Sequence, residues 1–382
     1  MTRDAESGLG WPSVPQHREP GEAPEPLGWP STDGSEDDAE DDAEDDAEDD
    51  AEDGAGHERV DVSRETSSVW GRLGVPGAPT AAALAASGPP ELEELPIGQA
   101  AAATVRAQRL LREPLPRPDR PRVVVVANQK GGVGKTTSAV NIAAGLALHG
   151  ASVLVVDMDP QGNASTALGL EHHVDVPSTY DVLVEDLPLA KAIQPCPDVP
   201  GLMGVPSTID LAGADIELVG RAGRELLLRD ALADYLRDHP VDYVFVDCPP
   251  TLGLLTVNAL AAGLEVLIPI QCEYYALEGL SQLLATIDLV RRGLNPSLVV
   301  STVLLTMYDG RTRLSAQVAE EVRRHFGSAV LPTVVPRSVR LSEAPGYSQT
   351  VHTYSPGSPG ALSYLEAARD IARGWHTQKE SA

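Results

Sequence analysis

Cysteine and lysine are both scarce in this chain. Its 382 residues include 3 cysteines, Cys196, Cys248 and Cys272, with no C-x-x-C pair and no histidine at metal-ligand spacing. That pattern excludes a disulfide framework and argues against a zinc or iron–sulfur centre. Reduced residues in or near the core of an intracellular protein are the expected use. Apolar runs are short as well. None approaches the ~20 residues that span a bilayer, and the N-terminus is acidic without the apolar stretch of a secretory signal. A soluble, cytoplasmic protein is expected. Lysine numbers 4 against 25 arginines, a bias that, with the abundant alanine and proline, reads as the imprint of GC-rich coding. Two of those lysines, Lys130 and Lys135, fall in one short stretch.

Charge is plentiful but lopsided. Residues 1–115 hold 27 acidic and 8 basic side chains, leaving 29 and 21 to residues 116–382. Glu36 to Asp53 is built of repeated E-D-D-A, with 14 carboxylates and 4 alanines. Such a block repels itself and offers nothing to bury. Gly10-Trp11-Pro12-Ser13 recurs as Gly28-Trp29-Pro30-Ser31, either as short docking motifs or as compositional drift. Disorder is predicted to about residue 90. A short helix is predicted from Glu91 to Arg112, carried by Leu92, Leu95, Leu110 and Leu111. A proline-rich joint follows from Leu115 to Pro121. The expected division is an acidic extension over 1–115, a folded domain over 116–376 and a tail over 377–382.

Within the folded part, strand-like apolar runs recur at Val123–Ala127, Val153–Val156, Tyr243–Val246, Val266–Ile270 and Leu298–Leu305. Helical patterns separate them, as at Thr137–Leu148, Gly223–Asp238 and Leu277–Arg292. This alternation predicts an α/β fold, a mostly parallel sheet with helices on both faces.

The first apolar run leads into Q-K-G-G-V-G-K-T-T, Gln129 to Thr137, and then into a helical pattern. A strand, a glycine-rich turn and a helix together make a phosphate cradle, the mark of a P-loop NTPase. Gly131, Gly132, Val133 and Gly134 form a turn whose backbone N–H groups converge. Lys135 reaches the terminal phosphates, the Thr136 hydroxyl suits Mg²⁺, and Thr137 continues the loop into the helix. The pattern departs from G-x-x-x-x-G-K-[ST] at its first glycine, where Gln129 stands, followed by a second lysine. Lys130 either serves its own phosphate site or points toward a partner's nucleotide.

Two acidic elements complete the set. The run Val153–Val156 ends in D-M-D-P-Q-G-N, Asp157 to Asn163, and carboxyl ends of strands in such sheets face the ligand. Asp159, in the departing loop, is the better candidate for the reacting phosphate, and Asp157 for a structural or metal-linked role. The run from Val241 closes on Asp247, the residue expected to support Mg²⁺ through its water shell; Asp242 lies at the wrong end.

Taken in order, K-G-G-V-G-K-T-T, D-M-D-P-Q-G-N-A-S-T and V-D-C-P-P resemble the ParA/Soj family of chromosome- and plasmid-partitioning ATPases, as does Pro336 to Pro345. The resemblance covers about 122–373. It implies ATP and Mg²⁺ as cofactors, with Lys130 crossing a dimer interface to the partner's ATP as an arginine finger does. Gly131 would sit where that interface is tightest. Lys135 would hold the phosphates, Thr136 the metal, and Asp247 would support it, while Asp159 would position the attacking water. Pro336 and Ser338 would lie near the adenine, although the family commonly has asparagine where Ser338 stands. The family further implies a homodimer with ATP, non-specific binding to nucleoid DNA, and a ParB-type centromere-binding protein that stimulates slow hydrolysis. Residues 291–373 carry 10 arginines against 6 acidic residues. Arg311, Arg313, Arg323, Arg324, Arg337 and Arg340 are the candidate DNA strip, Arg337 and Arg340 first.

Relatives with similar loops leave different marks. A MinD-type membrane ATPase would end in a basic amphipathic helix. Here Leu362, Leu365, Ala368, Ile371 and Trp375 are amphipathic, but Arg369, Arg373 and Lys379 are offset by Glu366, Asp370 and Glu380. No stable membrane association is expected. Iron–sulfur carriers need cysteines this chain lacks, bacterial tyrosine kinases carry a tyrosine-rich tail, and a non-catalytic scaffold would not need Asp159.

Overall fold

The structure, a computed structural model, describes residues 96–274 and 280–380. The Glu36–Asp53 block, both Trp-Pro-Ser stretches and the positions Glu91, Leu92, Leu95 and Leu277 fall outside these residues. In chain order the elements are α1 (Pro96–Arg112), β1 (Arg122–Val126), α2 (Lys135–Leu148), β2 (Val153–Asp157), α3 (Asn163–Ala167), β3 (Gln194–Pro195), β4 (Leu202–Val205) and α4 (Leu227–Asp238). Then come β5 (Tyr243–Asp247), α5 (Leu254–Ala262), β6 (Glu265–Gln271), α6 (Leu280–Gly293), β7 (Val299–Tyr308), α7 (Arg313–Phe326), β8 (Val330–Pro336), α8 (Val339–Glu343) and α9 (Pro359–Glu380). Short helical turns fill several of the connections.

The strands form one sheet in the order β3-β4-β2-β5-β1-β6-β7-β8. Every neighbouring pair is parallel except β3 on β4. Central strands covered on both faces must be apolar along their length, and β1, β2 and β5 are buried at every position. Side chains alternate between the two cores, as strand geometry requires. Val123 and Val125 join the core beneath α4, α5, α6 and α7. Val124 and Val126 join the one beneath α2 and α9. This is the P-loop NTPase arrangement, a mostly parallel sheet with helices on both faces.

Three strands do not announce themselves as apolar runs. β3 is two residues long, and β4 is four residues interrupted by Gly204. The edge strand β8 contains Pro332 and Pro336, tolerated where one side of the strand lacks a ladder partner. The helix predicted from Gly223 starts only at Leu227, since Gly223 takes a left-handed φ of 71°.

α9 lies alongside α2 from the phosphate-loop end of the sheet to the opposite end. Near the first, the Tyr364 hydroxyl is 3.1 Å from Ser138 Oγ; at the second, Arg122 Nη1 donates to Ile371 O at 2.8 Å. Arg122 also holds Glu265 through two hydrogen bonds of 2.7 Å, a buried pair with its partners in place. Gly145 permits the close crossing, because a Cβ there would stand 3.1 Å from Ala368 Cβ.

α1 packs against α9. Ala107 and Leu110 are buried against Leu362 and Leu365, Arg106 pairs with Glu366, and Glu113 bridges Arg369 and Arg373. His149 Nε2 lies 3.0 Å from Leu110 O, joining α1 to the end of α2. Removing residues 1–95, which keeps α1 on α9, should leave the resistance to urea unchanged. Extending the deletion to residue 115 exposes the apolar strip on α9, and at about 25 cal/mol per Å² this should lower stability by about 3 kcal/mol. Urea denaturation of the two truncations beside the full chain checks both outcomes.

Candidate functional site

The site lies at the carboxyl ends of β1, β2 and β5. Parallel strands bring all their carboxyl ends to one edge, and the loops leaving that edge converge. Asp157 and Asp247 end β2 and β5 and are direct cross-strand neighbours.

Between β1 and α2 the chain forms the glycine-rich turn. Gly132 and Gly134 have φ of 73° and 87°, a left-handed backbone that side chains rarely adopt. Val133 is buried, whereas Gly131 and Gly132 are exposed at the rim of a cleft of about 500 Å³. Lys135, Thr136 and Thr137 line that cleft with Asp159 and Gln161. Asn128 secures the start of the turn: its Nδ2 donates to Pro269 O at 2.8 Å, and its Oδ1 accepts from Lys130 N at 3.0 Å.

Lys135 is 7% exposed. Burial lowers its pKa, opposed by the nearby carboxyl groups of Asp247 and Asp159. Lys130 is half-buried, and among the described residues its ammonium has no ion-pair partner.

The three aspartates are placed differently. Asp157 Oδ2 accepts from Ser165 N at 2.8 Å and Ser165 Oγ at 2.7 Å, and Oδ1 accepts from Asp159 N at 3.1 Å. Burial pushes its pKa up to about 6, against these bonds. Its carboxylate is committed to holding the loop that carries Asp159. Asp159 lines the cleft, and its Oδ1 accepts from Gln161 N at 3.1 Å. Asp247 is fully buried, and neither oxygen completes a hydrogen bond with a donor among the described residues, although the Thr136 hydroxyl is close enough to favour its charged form. Burial, and then the Asp157 charge, raise its pKa well above the usual carboxylate range. The nearby Thr136 hydroxyl and Lys135 ammonium oppose that rise.

A buried carboxylate with both oxygens orphaned calls for a donor or a cation. Hard oxygens at Asp247 and Thr136 fit Mg²⁺ held partly through water and substrate phosphate. Among the described residues no group of three or more histidines, cysteines and acids could hold a metal unaided. Cys248, next in the chain, is buried, and burial together with the Asp247 charge pushes its thiol far up. Its thiolate is not a nucleophile here.

Pro336 and Ser338 line a recess of about 160 Å³, which shares Gly134, Thr137, Met307, Leu341 and Ser342 with the main cleft. Arg311, Arg313, Arg337 and Arg340 lie at the same edge of the sheet, just past the ends of β7 and β8, whereas Arg323 and Arg324 sit in the last turn of α7, which leads back to the start of β8. Arg311 grips Asp309 through Nε and Nη2, both at 2.9 Å, and Arg337 is near enough to help lower the Asp309 pKa to about 2. Arg340 pairs with Glu343 at 2.8 Å and Arg324 with Glu320 at 3.7 Å. Arg313 and Arg323 are exposed, with no ion pair among the described residues. The candidate strip thus contains arginines already engaged by carboxylates beside arginines that are not.

Residues outside the motifs also build the site. Asn128 adjoins the turn, so its place could be read from adjacency. Thr306 and Met307 come from the end of β7, more than 170 residues away, and nothing local in the sequence signals them.

A family model described as an AAA domain (AAA_31) matches residues 121–300. The chromosome partitioning protein ParA of Myxococcus xanthus is 50% identical over 252 residues, 66% of this chain and 88% of that protein. The sporulation initiation inhibitor protein Soj of Bacillus subtilis is 51% identical over 251 residues, 66% of this chain and 98% of that protein. Among solved structures, the chain resembles a Mycobacterium smegmatis protein named cobyrinic acid a,c-diamide synthase, solved with ADP and magnesium. The identity is 39% and the TM-score 0.59, over 68% of this chain and 96% of that one. MinD of Pyrococcus horikoshii, at 23% identity and a TM-score of 0.53 over 66% and 96% of the two chains, shares the fold.

Proposed function

Because the chain belongs to the ParA/Soj family of chromosome-partitioning ATPases, we propose that it is an ATP-operated switch whose ATP-bound dimer grips DNA and lets go on hydrolysis. The observation that carries this reading is the convergence of Lys135, Thr136 and Asp159 on one cleft, with the buried Asp247 close behind Thr136 and Lys135. The turn's N–H groups and Lys135 bind the triphosphate. Thr136 and Asp247 would hold Mg²⁺, which when bound neutralises charge on the phosphates. Asp159 orients a water for attack on the terminal phosphorus; the bond to the bridging oxygen breaks, leaving ADP and inorganic phosphate. Pro336 and Ser338 flank the adenine.

Dimerisation is supported by Gly131. Unlike Gly132 and Gly134 it has no left-handed φ, and a Cβ added there would meet nothing within 4 Å. Nothing in a single chain requires glycine at this exposed position. A second copy pressed against the turn does, and it would give Lys130, half-buried and unpaired, the partner's phosphates. Intrinsic turnover is accordingly slow, and a ParB-type protein accelerates it. The arginine strip binds DNA phosphates without sequence preference, placing the protein on the nucleoid in the cytoplasm. The MinD-like alternative is disfavoured because the apolar face of α9 is already occupied: Leu362, Leu365, Ala368 and Ile371 are buried against α1, α2 and the sheet.

The test is sizing chromatography and DNA association with ADP, a non-hydrolysable ATP analogue and no nucleotide, across a salt series. The analogue alone should yield a dimer with DNA affinity that falls steeply with salt. A chain that stays single with the analogue at low ionic strength removes the proposal.

A further inference from the structure

The last residues of β7 touch both the phosphate turn and the arginine strip. Thr306 is buried, and its hydroxyl donates to Val133 O at 2.8 Å. A peptide unit is planar with its C=O and N–H opposed, so holding the Val133 carbonyl also aims the Gly134 N–H, which belongs to the cradle. Met307 follows with φ of 50°, a left-handed backbone uncommon for any residue but glycine, and it lines both the main cleft and the adjoining recess. Tyr308 pairs with Pro336, and its carbonyl accepts from Arg337 N at 3.4 Å. Asp309 then takes the Arg311 fork and sits beside Arg337. Four consecutive residues thus run from a peptide of the phosphate turn to two arginines of the strip.

We propose that Thr306 and Met307 are positioning residues that transmit nucleotide occupancy from the Val133–Gly134 peptide to Arg311 and Arg337. The inference rests on the reading of the chain as a DNA-binding switch and names how that switch is wired. Phosphates filling the cradle draw on the Gly134 N–H, and the Thr306 hydrogen bond passes the displacement to a backbone held in an uncommon conformation. A left-handed backbone costs a non-glycine residue energy that an ordinary conformation would release, which makes Met307 the place for a two-state element. Its relaxation would move Tyr308 and Asp309 and so reset the two arginines. Thr306 also lines the recess beside Pro336 and Ser338, but its hydroxyl is turned to the phosphate turn. It works through Val133.

The variants are Thr306→Val, which keeps the shape and deletes the hydroxyl, Thr306→Ser, which restores it, and Met307→Gly, which makes the left-handed φ unstrained. The probe is a labelled duplex of arbitrary sequence, titrated at saturating ADP and at saturating non-hydrolysable ATP analogue, with thermal melting as the check on folding. Thr306→Val should cut the analogue-to-ADP ratio of DNA affinities by about tenfold, a usual size for coupling between sites, with the ADP-state affinity unchanged. Thr306→Ser should recover the ratio, and Met307→Gly should reduce it. If Thr306→Val binds the analogue more weakly yet keeps the wild-type ratio at saturation, the hydroxyl only braces the turn and the inference is overturned. Should Thr306→Val not fold, an unchanged ratio in Met307→Gly overturns it equally. A wild-type chain with no difference between the two nucleotide states sinks the switch reading itself, a separate result.

Discussion

Lys135→Ala should lose ATP affinity by about 100-fold or more, with the fold retained. Lys135 is 7% exposed, and its charge faces Asp247 and Asp159. In that setting removal of one charged partner costs about 3 kcal/mol or more, which is two orders of magnitude in a dissociation constant. The substitution acts twice. It takes a cation from the phosphates, and it removes the ammonium that opposes the burial-driven rise in the Asp247 pKa. Calorimetric titration with ATP and Mg²⁺ measures the loss directly. Thermal melting gives an independent reading, because a ligand that binds only the native state raises the midpoint by an amount that grows with the logarithm of its concentration over Kd. Retained affinity in a folded Lys135→Ala chain would mean that the turn is not the phosphate site.

Asp159→Ala should separate binding from turnover. Its expected behaviour is an ATP-bound dimer that assembles as the native chain does but hydrolyses at least about 100 times more slowly, within the range for a lost water-orienting group. Asp159 is proposed for this role because its carboxylate lines the cleft while accepting one loop N–H, from Gln161. Asp157, two residues earlier, spends both oxygens on Ser165 and on the Asp159 backbone. Asp157→Ala should therefore loosen the loop and lower stability, a different signature from the same short stretch. Phosphate release measured beside sizing chromatography distinguishes them. An Asp159→Ala chain that turns over normally would reassign the water-positioning role.

The fold class was legible because buried parallel strands carry continuous apolar runs, and β1, β2, β5, β6 and β7 each contain one. The strands that escaped, β3, β4 and β8, are short, glycine-interrupted or proline-bearing. Their pairing comes from neighbours rather than from their own pattern. The helix Pro96–Arg112 was legible as a helix, but its place was not. A strip of leucines at helical spacing says that something will be covered, without saying what covers it. The structure sets Ala107 and Leu110 on α9.

Contiguity marks the border between the two sources of knowledge. The residues from Lys130 to Thr137 could be recognised as a phosphate turn because a strand, glycines, a lysine and a hydroxyl follow one another within a few residues, and backbone geometry over so short a span has few outcomes. The parallel α/β class was likewise determined by sequence, through the period and length of the apolar runs. The hydrogen bonds that commit Asp157 to its loop, the burial of Asp247, the seat of α1 on α9, the pairing of Arg311 with Asp309 and the grip of Thr306 on Val133 were decided by tertiary structure. Each depends on which distant segment arrives beside it, and burial and hydrogen bonding between segments far apart in the chain are settled only when the sheet assembles.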